Sequence, residues 1–274
     1  MNICLFRKED FSKDDFAHGV LSLKDERAKH IIKILHKNVG DEFSAGVIGS
    51  KAGKAVITAI SEEGISFDFR PESDGKELYP LDLIIGFPRP IQLKRLFRDV
   101  ASLGVRSVHL TATELGEKSY LDSNVIKDGS AYNMLLDGSV QAASTHVPEL
   151  FVHTSLKECL ESVEKREGER ELIKIAPDNV KPTMSLCSFL QTTFIVEPNA
   201  LTKQPLAAVS VTKQPLAVAA VCAVGSERGW SEKERELLEE NGYIRLGMGK
   251  RILRTETAAT VATSLILGAM GYLE

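Results

Sequence analysis

Two stretches near the end of the chain carry residue types that can do chemistry at workable spacing. The first is Gly225-Ser226-Glu227-Arg228-Gly229-Trp230. It follows Leu216 to Val224, an apolar run that reads as a buried strand. It precedes Ser231 and Glu234, spaced as a capping box that opens a helix over Glu232–Glu240. Strand, glycine-bearing loop and helix N-terminus is the order in which parallel α/β sheets build ligand sites, beyond the carboxyl ends of their strands. Glycines there let a ligand approach backbone closely, although a loop of this composition is equally an ordinary tight turn. The second stretch runs Leu246-Gly247-Met248-Gly249-Lys250-Arg251-Ile252-Leu253-Arg254-Thr255-Glu256-Thr257-Ala258. It brings two glycines and a group of cations to the start of a helix lined with Ala258, Ala259 and Ala262. A cation is disfavoured at a helix N-terminus by the helix dipole. Arg254 in that position implies an anionic partner, either a ligand or Glu256.

The rest of the chain must position these loops. Leu81 to Phe87 is a continuous apolar strand candidate. Ile91 to Leu103 repeats apolar residues at helical spacing and ends at Gly104, and Val105 to Leu110 is a second strand, so the three form a βαβ unit. Further strands are expected at Glu171–Ala176, Thr193–Val196 and Leu216–Val224, with helices over 124–143 and 156–166. The first 75 residues differ. Strands at Phe43–Gly49, Lys54–Ile60 and around Ile65, Phe67 and Phe69 flank one helix, Asp25 to Leu35, that places Ala28, Ile31, Ile32 and Leu35 on one face. That pattern suits a small β-barrel-like module. The polar stretch Pro71 to Glu77 reads as a linker, dividing the chain into 1–75 and 76–274. Lys203-Gln204-Pro205-Leu206-Ala207 recurs as Lys213-Gln214-Pro215-Leu216-Ala217, a local echo too short for a solenoid.

Composition narrows the function classes. With 274 residues, 43% hydrophobic and 26% charged, the chain can bury a real core. A net charge of −4 excludes a wholesale basic nucleic-acid binder. A local basic face remains, because Arg89, Lys94, Arg95, Arg98 and Arg106 face a single acid, Asp99, between Pro88 and Arg106. By contrast, Glu158 to Glu171 holds six glutamates against three basic residues and is expected to face away from RNA. No apolar run reaches the ~20 residues of a membrane span, and the N-terminus lacks a signal-peptide layout, so a soluble cytoplasmic protein is expected. The four cysteines and six histidines show no metal-ligand spacing, and no metal is expected. Neither a P-loop nor a Gly-x-Gly-x-x-Gly turn after the first strand is present, which disfavours a nucleotide-binding α/β enzyme.

Ile252-Leu253-Arg254-Thr255-Glu256-Thr257-Ala258, preceded by Leu246-Gly247, resembles the C-terminal signature of the ribosomal RNA small subunit methyltransferase E family. Gly225 to Trp230 is similar to that family's Gly-Pro-Glu-Gly-Gly-Phe loop. Arg27-Ala28-x-His30 with Ile34-Leu35 and Gly40-Asp41 resembles its N-terminal RNA-binding module, and Ala101-Ser102-Leu103-Gly104-Val105, Gln141 and Val147-Pro148-Glu149 resemble intervening motifs.

The resemblance implies an α/β protein, with a PUA-like β-barrel followed by a SPOUT α/β domain tied in a deep trefoil knot. It also implies S-adenosylmethionine as cofactor and methylation of N3 of a uridine in 16S rRNA of the small ribosomal subunit, by a homodimer. Carried to this chain, the donor would be held by Gly225, Glu227, Gly229, Leu246, Gly247, Met248, Ile252 and Leu253. RNA would meet Arg27, His30, Arg89, Lys94, Arg95 and Arg98. Arg254 would stabilise a developing uridine anion, with Glu256 orienting it; no general base is identified. The chain departs from the family pattern at Ser226, Arg228, His36 and Ser144, and Arg98 and Ser102 stand where Lys and Glu are usual. These departures leave open a non-catalytic RNA-binding or assembly factor and a SPOUT methyltransferase with another RNA target.

Overall fold

A computed structural model describes residues 2–12, 16–168, 170–194 and 218–273. The N-terminal part contains β1 (Cys4–Phe6), β2 (His18–Ser22), α1 (Glu26–Lys29), β3 (Glu42–Val47), β4 (Ala52–Ile60) and β5 (Gly64–Ser73). Its strands form a curled five-stranded sheet in the order β1-β3-β4-β5-β2. Period-2 alternation buries Ile65, Phe67 and Phe69, as expected of a strand with one wet face. Phe6 stacks on Phe67 at 4.0 Å and anchors a phenylalanine-rich core. The predicted helix at Asp25–Leu35 is only partly α. Asp25 caps it, accepting from Arg27 N at 2.8 Å, but after Lys29 the chain widens into a π-turn over His30–Ile34. Ala28 and Ile31 are buried as expected, whereas the wider turn leaves Ile34 and Leu35 exposed. The polar stretch is shorter than predicted, because Pro71 to Ser73 continue β5.

The second part contains β6 (Tyr79–Gly86), α2 (Pro90–Ser102), β7 (Val105–Thr111), α3 (Asn124–Lys127), α4 (Ser130–Gln141), β8 (Glu149–His153), α5 (Leu156–Glu167), β9 (Leu172–Pro177), β10 (Met184–Ser185), α6 (Leu186–Phe194), β11 (Ala219–Val224), α7 (Glu232–Glu240), β12 (Ile244–Gly247) and α8 (Thr255–Ala269). Seven strands form one sheet in the order β10-β12-β9-β11-β6-β7-β8, and every pairing in it is parallel. Leu81, Leu83, Ile84 and Ile85 are fully buried because helices cover both faces of β6, and the run expected to be continuously apolar is interrupted by Asp82. One face packs on α2, α4, α6 and α8 through Leu93, Leu96, Phe97, Leu135, Leu190 and Ala259. The other packs on α5 and α7 through Leu156, Cys159, Leu160, Trp230 and Leu238. Asp82 is buried inside that second layer, where Ser107 Oγ donates to it at 2.6 Å and Arg106 pairs with it.

Two expectations are corrected here. The single helix predicted over 124–143 is two, α3 and α4, broken at Asp128–Gly129. The strand predicted to begin at Thr193 is helical through Phe194, since a short apolar run alone cannot separate a strand from a buried helix. The Lys-Gln-Pro-Leu-Ala echo and the start of the predicted strand at Leu216 lie outside the described residues.

Candidate functional site

The sheet order puts β11 next to β9 and β9 next to β12, so loops distant in sequence leave the same end of the sheet together. After β11, Gly229 N donates to Ser226 O at 2.8 Å and closes a tight turn. Gly229 sits at φ +73°, in the left-handed region that suits glycine. A Cβ on Gly225 would lie 2.9 Å from the Gly229 carbonyl carbon, so both loop glycines are needed by the turn itself. Ser226, which stands where the resembled motif has proline, holds the loop by hydrogen bonds instead. Its Oγ accepts from Thr113 Oγ1 at 3.1 Å and donates to Gly229 O at 3.2 Å. The predicted capping box is formed: Ser231 Oγ accepts from Glu234 N at 3.2 Å and Ser231 N donates to Glu234 Oε2 at 2.8 Å.

Glu227 reaches across to α2. Its Oε1 accepts from Arg89 N at 2.9 Å. Arg89 is the N-cap residue of α2 and offers no side-chain cap of its own, so Glu227 satisfies a helix-end amide from outside the helix. The second loop crosses from β12 to α8, and Thr255 Oγ1 donates to Gly225 O at 3.3 Å, tying the two loops together.

A third wall comes from Pro177 to Val180, after β9. Asp178 accepts from Val180 N at 3.0 Å and from Arg235 Nε at 2.7 Å, while Arg245 Nη1 donates to Val180 O at 2.8 Å. The sequence reading missed this wall. Its only signal is that Asp178 follows a predicted strand end.

These loops enclose a cleft of about 250 Å³. Val224, Trp230, Met248, Ile252, Leu253 and Ala258 supply its apolar lining, and the glycine-bearing turns supply backbone polar groups. Its size is near the ~300 Å³ lower end of small-molecule sites. Trp230 Nε1 is buried with no hydrogen-bond partner among the described residues.

Of the predicted donor residues, Gly225, Glu227, Gly229, Met248, Ile252 and Leu253 line the cleft. Leu246 does not: it is fully buried in the core beneath it. Gly247 sits against Pro182 rather than in the lining. Arg254 lies between the lining residues Leu253 and Thr255 and is exposed. It makes no ion pair with Glu256, which is buried in the first turn of α8, so the expected orienting contact is not formed.

The candidate RNA residues divide. Arg89, Lys94, Arg95 and Arg98 fall on the exposed face of α2 around Ile91, with Arg98 also paired to Asp137 at 2.8 Å. Arg27 is corrected. Its guanidinium turns inward to Asp10 Oδ2 and Asp25 Oδ2, each at 2.6 Å, and to Leu5 O at 2.7 Å. Three internal acceptors satisfy it, and it braces the N-terminal sheet. His30 lines a groove of about 870 Å³ between that sheet and α4, together with Arg7, Lys29 and Lys33. Burial holds the His30 imidazole below its usual range.

A family described as "RNA methyltransferase domain" matches residues 76–267. Ribosomal RNA small subunit methyltransferase E of Treponema pallidum is 37% identical over 97% of this chain and 91% of its own length. Ribosomal RNA small subunit methyltransferase E 1 of Borreliella burgdorferi is 30% identical over 92% of this chain and 93% of its own length. In fold, the chain resembles a Neisseria gonorrhoeae ribosomal RNA small subunit methyltransferase E solved bound to S-adenosyl methionine. That likeness has a TM-score of 0.68 at 18% identity and covers 97% of each chain.

Proposed function

Since this chain belongs to the ribosomal RNA small subunit methyltransferase E family of RNA methyltransferases, we propose that it transfers a methyl group from S-adenosylmethionine to N3 of a uridine in 16S rRNA. The observation that carries the reading is the meeting of the three loops around one cleft. Its apolar walls suit a purine and a thioether, and its glycine turns offer backbone groups to the adenine edge. The cofactor supplies an electrophilic methyl group.

Uridine N3 lies on the Watson–Crick edge, so the base must be unpaired or flipped before it can react. It becomes nucleophilic as its proton leaves and charge spreads to O2 and O4. Two features of the chain favour that anion beside the cleft. Arg254 is exposed and without an ion-pair partner among the described residues, and the first amides of α8 have no side-chain cap. A guanidinium and a free helix N-terminus both present positive potential to a developing negative charge.

The basic face of α2 and the groove holding His30 are the proposed RNA contacts, with residues 1–75 as a PUA-like RNA-binding module and 76–274 as the SPOUT transfer domain. α8 packs against α2, α6, β6 and β11 while Thr255 bonds to the β11 loop, an arrangement consistent with a knotted chain. Ile91, Ile252, Val261 and Leu265 are exposed, and a homodimer is the proposed assembly. A dimeric mass by light scattering at micromolar concentration is expected. No helix among the described residues is long and apolar enough to cross a membrane, and a cytoplasmic location is proposed with the rRNA substrate.

The test is transfer of label from S-adenosylmethionine to small-subunit RNA or particles, followed by mass spectrometric mapping of the product nucleoside. N3-methyluridine at one 16S position is expected, and absence of transfer to either substrate overturns the reading. A second reading, the same chemistry on another uridine, is favoured by one departure: Ser144, where the family has an arginine, is a buried residue hydrogen-bonded to His146 O at 3.1 Å. The same map decides it.

A further inference from the structure

The edge of the seven-stranded sheet away from the cleft buries three side chains that methyl transfer does not use. His109 from β7, His153 from the end of β8 and Cys159 from α5 are all buried. One ring nitrogen of each histidine and Cys159 Sγ lie within 4.8 Å of one another. His109 Nδ1 is 3.0 Å from His153 Nε2, with the two rings 8° from parallel. Buried histidines are usually fixed by a carbonyl or a carboxylate. Here two imidazoles face each other beside a thiol.

We propose that His109, His153 and Cys159 bind one thiophilic d10 cation, Zn²⁺ or Cu⁺, at a structural site joining β7, β8 and α5. Two imidazoles and one thiolate are donors that such ions select. Two nitrogens ~2.0–2.1 Å from a common ion stand ~3.3 Å apart at the tetrahedral angle, close to the observed separation. On binding, the S–H bond of Cys159 breaks, its proton leaves to solvent and an S–metal bond forms, with no change of oxidation state. The 44-residue separation of the two histidines explains why no spacing motif announces the site.

The experiment uses full-length protein stripped of metal. Co²⁺ is titrated as a spectroscopic probe, Zn²⁺ is titrated against a chromophoric chelator, and Cu⁺ is titrated anaerobically against its own chromophoric chelator. A thiolate-to-cobalt charge-transfer band saturating at one ion per chain is expected, with affinity about 100-fold weaker in the near-isosteric Cys159→Ser and in His153→Ala. Cys187→Ser, at an exposed cysteine, should leave the band unchanged. Saturation in the Zn²⁺ arm assigns zinc, and saturation in the Cu⁺ arm alone assigns copper. Absence of a stoichiometric ion in every arm, or an unchanged band in folded Cys159→Ser, overturns the proposal. Should Cys159→Ser not fold, His153→Ala and the ion-induced rise in melting temperature of the unsubstituted protein decide the matter.

Discussion

Replacing Arg254 with alanine separates chemistry from structure. The side chain is exposed, caps nothing and forms no ion pair among the described residues. Its removal therefore costs no folded-state contact. It also lifts a cation from the positive end of α8, an arrangement worth ~0.3–1 kcal/mol, so stability should stay constant or rise slightly. If the guanidinium holds the uridine anion, turnover should fall about 10²–10³-fold, which is ~2.7–4 kcal/mol of transition-state stabilisation. Arg254→Lys should recover little, because an ammonium lacks the planar fork. The assay is single-turnover methylation of small-subunit RNA at saturating donor, run beside thermal melting and calorimetry with S-adenosylhomocysteine. A folded Arg254→Ala protein with near-normal single-turnover rate refutes the assignment. So does one in which melting temperature and donor affinity fall together, since that pattern belongs to a residue that merely holds the loop.

Gly225→Ala places a methyl group 2.9 Å from the Gly229 backbone, an overpacking of ~1–3 kcal/mol, and should weaken S-adenosylhomocysteine binding by calorimetry in excess chelator. Arg106→Ala leaves two buried carboxylates, Asp82 and Glu167, without their shared cation, and a loss of ~3–5 kcal/mol is expected in denaturant unfolding. Hydrogen bonds from the Arg27 side chain hold the Asp25 carboxyl below its usual range. Asp25 is thus ionised more readily folded than unfolded, so its contribution is fully present above pH ~4 and disappears as pH falls through the folded value. Asp25→Asn should accordingly be less stable than the unsubstituted protein at neutral pH, and the gap should close below pH ~4 in a pH series of unfolding curves.

The sequence was most legible where one physical pattern acted alone. Leu81–Phe87 reads as a buried strand because it is apolar apart from Gly86 and one charge, Asp82, and Ser231 with Glu234 announces α7 because the cap is local. Both glycine loops could be found for the same reason. What joins them could not. The insertion of β11 between β9 and β6, and of β12 beside β9, is a non-local choice that no window of residues carries. The Asp178 wall went unseen because its role depends on Arg235 and Arg245, which reach it from two other elements. The internal pairing of Arg27 was equally invisible, because only the fold brings Asp10 to its guanidinium beside Asp25. β8 escaped notice because it is short and its edge position leaves it only partly buried.

The cleft takes its walls from β9, β11 and β12 and from the start of α8, so the first lining residue is Pro177 and the last is Ala258. A ribosome delivers those residues in order, and a nascent chain that has released only the β9 wall holds no binding site. Completion waits for Thr255 to bond to Gly225 after the intervening strands have paired. Contacts of that sequence separation form slowly. Cofactor affinity and the native topology consequently appear in the same step. A molecule that fills the cleft stabilises only the finished fold, by RT ln(1 + [L]/Kd). Cellular cofactor would then act as a thermodynamic latch on chains that have completed folding, with no hold on those still in progress.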